Sequence, residues 1–223
     1  MQVSRSELIL GGQKSGKSRR AELLARDWLA QSPSHQAVLI ATAQPWDGEM
    51  RERIARHQRD RAERVPGLQT LEEPRDLATA LEQHSTAHTM VVVDCLTLWL
   101  THWLMPAGDE ALDLKQKQAL ALDWKAQAAH FLIAIEQAPG PVVLVGNEIG
   151  LGVIPMGREV RAFVDALGVL NQQVAQACER VTLMAAGLPL PTTVFAHGWL
   201  LVGGEKMSKS KLTGIAPSQI IDH

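Results

Sequence analysis

Tyrosine is absent from this chain, and phenylalanine occurs three times against six tryptophans. Tryptophan therefore carries most of the large aromatic surface. Trp28, Trp99, Trp103 and Trp124 fall on helical patterns and read as core or interface anchors rather than as stacking platforms for a cofactor. Cysteine occurs twice, at Cys95 and Cys178. Their spacing excludes a metal-binding cysteine motif, and both read as buried thiols of a reducing compartment. No apolar run approaches the ~18 residues that a membrane span needs. The start of the chain lacks the charged segment and apolar stretch of a signal peptide, so the expected location is the cytoplasm. The formal net charge is −2. With no surplus of base, nucleic acid is not an expected partner. No internal repeat is visible.

What is present is an ordinary globular composition. A hydrophobic content of 46% over 223 residues suits one domain, or one domain plus a tail. Short apolar runs alternate with longer amphipathic segments. Strands are expected at Glu7–Leu10, Ala37–Ala41, Gln69–Leu71, Met90–Asp94, Val142–Gly146 and Val181–Ala185. Helices are expected at Arg20–Ala30, Gly48–Arg61, Arg75–Glu82, Leu96–Leu104, Asp113–Gln137 and Arg158–Glu179. The runs Val91–Val93 and Val142–Val145 are continuous rather than alternating, as in strands covered on both faces of a parallel sheet. The pattern predicts an α/β fold: a doubly wound, mostly parallel sheet with helices on both faces. Ligands of such sheets bind at the carboxyl ends of the strands. The segments that matter most are then Gly11–Ser18, Ala41–Ala43, Glu72, Asp94 and Gly146–Glu148. Met105–Leu112 reads as a loop.

One of those segments is specific. Gly11-Gly12-Gln13-Lys14-Ser15-Gly16-Lys17-Ser18 follows the apolar run Leu8-Ile9-Leu10 and precedes a helical pattern. Glycines let the backbone curl so that successive N–H groups face phosphate oxygens, and the next helix adds its positive end. In a phosphate loop of this form, Lys17 reaches the terminal phosphates and the Ser18 hydroxyl ligates Mg²⁺. Asp94 closes its own apolar run, where a phosphate-loop enzyme holds Mg²⁺; a simpler role is to cap the helix that follows. The helix from Gly48 is crowded with charge, and its bland reading is a solvated face with pairs such as Glu49/Arg53 and Glu52/Arg56. Yet His57 lies among Arg53, Arg56, Arg59 and Arg61. Surrounding cations favour a neutral, nucleophilic imidazole, and they suit a polyphosphate held for attack. The residues alone leave both readings of His57 open.

The chain from Leu8 to about Pro189 resembles the bifunctional adenosylcobinamide kinase / adenosylcobinamide-phosphate guanylyltransferase family. The resemblance rests on Gly11–Arg19, Ile40–Ala43, Asp47–Met50, Arg53–His57, Thr70–Pro74, Val93–Thr97, Val145–Pro155 and a helix carrying Arg161, Asp165, Gly168, Leu170 and Asn171-Gln172. It implies that ATP or GTP phosphorylates the aminopropanol hydroxyl of a corrinoid substrate, adenosylcobinamide. A histidine then takes GMP from GTP and passes it to adenosylcobinamide phosphate. By position that histidine is His57. By position too, the guanine-nucleotide contacts are Gly11, Gly12, Gln13, Lys14, Ser15, Gly16, Lys17, Ser18, Ala41, Thr42, Ala43, Gln58, Arg59, Asp60, Arg61, Glu72 and Asp94. The resemblance also implies a homo-oligomer, a trimer. Beside it, Glu72 has the chemistry to accept hydrogen bonds from guanine N1–H and the exocyclic amine. Its plainer role is a helix-entry acid before Pro74. Asn147 and Glu148 follow a strand, either to orient a hydroxyl or water or simply to form a turn with Gly146, Gly150 and Gly152.

From about Pro189 the pattern changes. Residues 190–223 read as a separate, foreign-looking tail beside a 1–189 kinase/guanylyltransferase domain. Pro191–Ser210, with Lys206-Met207-Ser208-Lys209-Ser210, is similar to a piece of methionyl-tRNA synthetase, and the likeness continues through Gly214–Pro217. The chain contains no His-Ile-Gly-His, the other signature such a synthetase needs, so aminoacylation is not expected. The string Ala186–Pro191 suits either family, as a recombination junction or an assembly chimera does. A tail of this length cannot build its own core. Two rivals to the bifunctional enzyme remain: a simple phosphate-loop kinase of another small alcohol with His57 inert, and a nucleotide-binding regulator without catalysis.

Overall fold

The computed structural model describes residues 3–45, 47–105, 114–153, 155–191, 201–202 and 205–206. Strands and helices alternate as β1 (Ser6–Gly11), α1 (Lys17–Leu29), β2 (Gln36–Ala41), α2 (Gly48–Arg64), β3 (Leu68–Glu72), α3 (Leu77–His84), β4 (Thr89–Asp94), α4 (Leu96–Leu104), α5 (Leu114–Gln137), β5 (Val142–Val145), α6 (Arg158–Ala177), β6 (Arg180–Ala185) and β7 (Leu188–Pro189). They form one sheet in the order β3-β2-β4-β5-β1-β6-β7. All pairs are parallel except β6 with β7, which is antiparallel. The expected α/β architecture is the one observed. The expected loop at Met105–Leu112 lies, beyond Met105, outside the described residues.

Continuous apolar strands follow from cover on both faces. Ile9, Leu39, Val92, Val143 and Val145 pack with Ala21, Leu24 and Ala25 of α1 on one side. Leu8, Ile40, Val91, Val93 and Leu144 pack with α3, α4, α5 and α6 on the other. Trp99 is the anchor of that second layer. It is fully buried, its ring meets Trp124 and Phe131 at 4.8 and 4.9 Å, and its indole N–H donates to Arg75 O at 2.7 Å.

Element ends differ from the sequence expectation where a specific contact decides them. α1 begins three residues earlier, because Gly16 adopts φ +96° and turns the loop directly into the helix. α2 runs on to Arg64, because Arg61 and Arg64 are both held by Glu22 of α1. Its start is capped by the Asp47 carboxylate, which accepts from Met50 N–H at 2.7 Å. α3 waits until Leu77, because Asp76 is its cap and accepts from Thr79 N–H. α6 stops at Ala177; Cys178 is extended and Glu179 N–H donates to Ser6 Oγ at 3.0 Å.

The chain divides into two compact units, Met1–Leu190 and Pro191–His223. In the second, Leu201–Val202 (β8) pairs antiparallel with Glu205–Lys206 (β9). Among the described residues no helix is long and apolar enough to cross a membrane.

Candidate functional site

The loop between β1 and α1 is a backbone cradle built on tight approaches. Gly11 has φ +153°, and a Cβ there would lie 2.5 Å from Met184 O and 2.6 Å from Ser15 Oγ. Gly187 donates its N–H to Ser15 O at 3.0 Å, so the turn between β6 and β7 braces the loop from behind. Inside the curl, Lys17 is buried and its ammonium donates to Gly12 O at 2.6 Å. Burial draws the Lys17 ammonium below its usual range, while Cys95 and Asp94 oppose that shift. Burial, aided by Asp94, pushes the Cys95 thiol up to about 12. At neutral pH Cys95 is therefore an uncharged thiol, and Asp94 is the effective counter-charge for Lys17. We expect Gly11→Ala to cost about 3 kcal/mol of stability, since the Met184 carbonyl at that contact is strand backbone and cannot turn aside as the Ser15 hydroxyl could. A thermal melt should show this as a fall of roughly 10 °C.

The other expected residues line up along the carboxyl edge. Ala41 stands beside both Glu72 and Asp94 in the ladder, and Asp94 stands beside Val145. β5 lies between β4 and β1, so the turn after it falls between Asp94 and the loop. Glu148 N–H donates to Gly11 O at 3.1 Å, which places that turn against the cradle. Asn147 is fixed at both backbone ends, its N–H on Thr97 Oγ1 and its carbonyl on Asn171 Nδ2. One Glu148 carboxylate oxygen accepts from Gly150 N–H at 2.8 Å, closing the turn on itself.

Two of the expected nucleotide contacts have other partners. Thr42 is fully buried; its hydroxyl bonds both the Cys95 carbonyl and the Cys95 N–H, and its carbonyl meets His102 Nε2 at 2.7 Å. Its polar atoms hold β2 to β4. Arg61 is buried as well, with its guanidinium on Glu22 at 3.4 Å and on Thr70 Oγ1 at 3.1 Å. That removes one cation from the group around His57. His57 itself, with Gln58, Arg59 and Asp60, is exposed on α2. Gln58 Nε2 lies 3.4 Å from Glu72 Oε1, so this part of α2 sits at the carboxyl end of β3. A cavity of about 500 Å³ opens there, lined by Ala43, Gln44, Pro45, Glu72 and Pro74.

Sequence reasoning missed two buried acids. Glu7, inside β1, takes Arg20 at 2.8 Å and the Thr182 hydroxyl at 2.8 Å. Glu22 takes both Arg61 and Arg64. The signal was available for Glu22: it is an acid amid the apolar positions Ala21, Leu24 and Ala25 of α1, and α2 carries an excess of arginine.

A glycine-curled loop around a buried lysine, at the carboxyl edge of a parallel sheet, defines a phosphate-loop nucleotide-binding α/β protein. Residues 7–192 match the family described as cobinamide kinase / cobinamide phosphate guanyltransferase, and the chain belongs to that family. It is 46% identical over 186 residues to the bifunctional adenosylcobalamin biosynthesis protein CobP of Pseudomonas aeruginosa, covering 83% of this chain and 95% of that protein. It is 35% identical over 182 residues to CobU of Escherichia coli, covering 81% of this chain and 96% of that protein. Residues 180–223 match a second family, tRNA synthetases class I (M). There the chain is 66% identical over 41 residues to methionine–tRNA ligase of Streptomyces coelicolor, 18% of this chain but 8% of that protein. The two matched ranges overlap at residues 180–192, around the string that suits both families.

Proposed function

We propose that this enzyme phosphorylates the aminopropanol hydroxyl of adenosylcobinamide with ATP or GTP, then transfers GMP from GTP to adenosylcobinamide phosphate with His57 as the carrier. The observation that carries the proposal is the convergence on one carboxyl edge of the Lys17 cradle, Asp94, the Glu72 cavity and the helix bearing His57. The cradle N–H groups and Lys17 hold the β- and γ-phosphates in either reaction. Ser18 at the start of α1 and Asp94 beside Lys17 offer a hydroxyl and a carboxylate, the oxygen donors that Mg²⁺ takes together with phosphate oxygens. Bound Mg²⁺ neutralises the charge on those phosphates. Ala41 and Ala43 supply backbone along the nucleotide, held in line by the buried Thr42 between them, with Gln58, Arg59 and Asp60 across from it. The Glu72 carboxylate at the cavity accepts from the guanine edge and disfavours adenine.

In the transfer, an imidazole nitrogen of His57 donates its lone pair to the α-phosphorus of GTP. The bond from that phosphorus to the bridging oxygen breaks, and pyrophosphate leaves with the electron pair. An oxygen of the acceptor phosphate then attacks the same phosphorus and the N–P bond breaks, which restores His57 and gives adenosylcobinamide-GDP. Exposed Ile149, Leu151, Val153 and Met156 follow Glu148 and offer apolar surface to a large corrinoid beside the cradle. We read the enzyme as cytoplasmic, where its nucleotides are, and as a homo-oligomer, a trimer by resemblance.

The test is incubation of the full chain with α-labelled GTP, followed by denaturation. Acid-labile, base-stable label on the protein, discharged by adenosylcobinamide phosphate, is the expected result. Phosphorylation of the acceptor without any protein-bound label would leave a simple kinase. We also propose that residues 1–189 form the catalytic domain and 190–223 an appended tail. A chain ending at Leu190 should keep both activities within about twofold, since every residue this reading gives to either reaction precedes Leu190. Loss of guanylyl transfer in that chain would overturn the division.

A further inference from the structure

We infer that Glu22 is a positioning residue for guanylyl transfer: it is the clamp that sets the height of His57 against the phosphate loop. The inference rests on His57 being the carrier. Glu22 is 2% exposed and 7% of Arg61 is exposed, so the pair is out of water. Arg61 approaches one carboxylate oxygen at 3.4 Å and Arg64 takes the other. Such a pair is costly to bury and contributes little net stability over apolar packing. What it supplies is a defined register between two helices, and that register is informative.

Both helices leave the carboxyl edge of the sheet and run the same way. On α2, Gln58 meets Glu72 at the end of β3, and Arg61 meets Thr70 two residues back. On α1, the phosphate loop comes first, and Trp28 near the far end donates to Gln36 O at the start of β2. Ser18 precedes Glu22 by four residues, and His57 precedes Arg61 by four. Residues four apart share one helix face, a little over one turn or about 6 Å along the axis. The Glu22–Arg61 contact therefore sets His57 level with Ser18, at the end of α1 that opens onto the phosphates. Arg64, on the same face as His57 and Arg61, stops α2 from rolling about its axis.

α1 has its own anchors, so the kinase reaction does not depend on this clamp. Ala21, Leu24 and Ala25 are in the core, and Arg20 holds Glu7 of β1. Among the described residues of α2 only Arg61 is buried, so the helix depends on the clamp, helped by Gln58 and Thr70. A loss at Glu22 should separate the two activities.

The experiment measures, on the full chain, the rate of covalent labelling from α-labelled GTP and the rate of adenosylcobinamide phosphorylation from γ-labelled ATP. For Glu22→Gln, labelling should slow about 100-fold, the effect of misplacing a reacting group by about an ångström, while phosphorylation stays within about threefold. Glu22→Asp, which keeps the charge, should recover labelling to within about tenfold of the natural chain. Arg64 is 31% exposed, so Arg64→Met tests the clamp even if Glu22→Gln does not fold. It should slow labelling about tenfold with phosphorylation intact. Labelling at the natural rate in either variant, or an equal fall in both activities, overturns the clamp. No label on the natural chain overturns the carrier reading, and the clamp with it; a labelled natural chain beside an unaffected variant overturns the clamp alone.

Discussion

His57→Ala should yield a protein that takes no label from α-labelled GTP and makes no adenosylcobinamide-GDP, yet still phosphorylates adenosylcobinamide. Removing the nucleophile of a two-step transfer leaves only direct displacement, and losses of about 10⁴-fold or more are usual for such a group. The same substitution is mild for the fold. His57 is exposed on α2, and alanine is a better helix former, so stability should change by no more than about 0.5 kcal/mol. Phosphorylation needs the cradle and Lys17 but no histidine, so its rate should stay within about threefold. Label retained by His57→Ala would move the carrier role to another side chain. Parallel loss of both activities would mean that α2 supports the cradle itself.

Lys17→Met should remove both activities if, as proposed, a single cradle serves both. Lys17 is buried in the curl with its ammonium on Gly12 O, where the proposed function places the β- and γ-phosphates. Charge on those phosphates grows in each reaction, and loss of a preorganised cation there costs about 10³-fold in rate. Methionine keeps the length and most of the apolar stem. The melting temperature should not fall, since burial already disfavours the ammonium in the folded chain. Activity assays beside a thermal melt separate the two effects. A variant that lost only phosphorylation would show that GTP for guanylyl transfer is held elsewhere.

The strands were legible because burial on both faces leaves no polar alternation. Val91–Val93 and Val142–Val145 announce themselves as such, and their observed limits agree to within a residue or so. The cradle was legible for a related reason. A backbone that must approach Met184 and Ser15 this closely tolerates only glycine at position 11, so the constraint is written as a residue type. Thr42 and Arg61 show the opposite case. Each lies in a segment with the right place along the chain, yet its polar atoms point at Cys95, His102, Glu22 and Thr70. Nothing local in the sequence distinguishes a threonine or arginine turned inward from one turned to a ligand.

By itself, then, the order of residues determined the alternation of strands and helices, the phosphate cradle and the family. These depend on local periodicity and on glycine's freedom at positive φ, which neighbouring residues reveal. Only the folded molecule decided that β5 runs between β1 and β4, which puts Asn147 and Glu148 between the cradle and Asp94. It alone joined Glu22 to Arg61 across 39 positions of chain. Strand order and buried ion pairs are long-range choices, made by which faces exclude water together, and no window of sequence holds both partners.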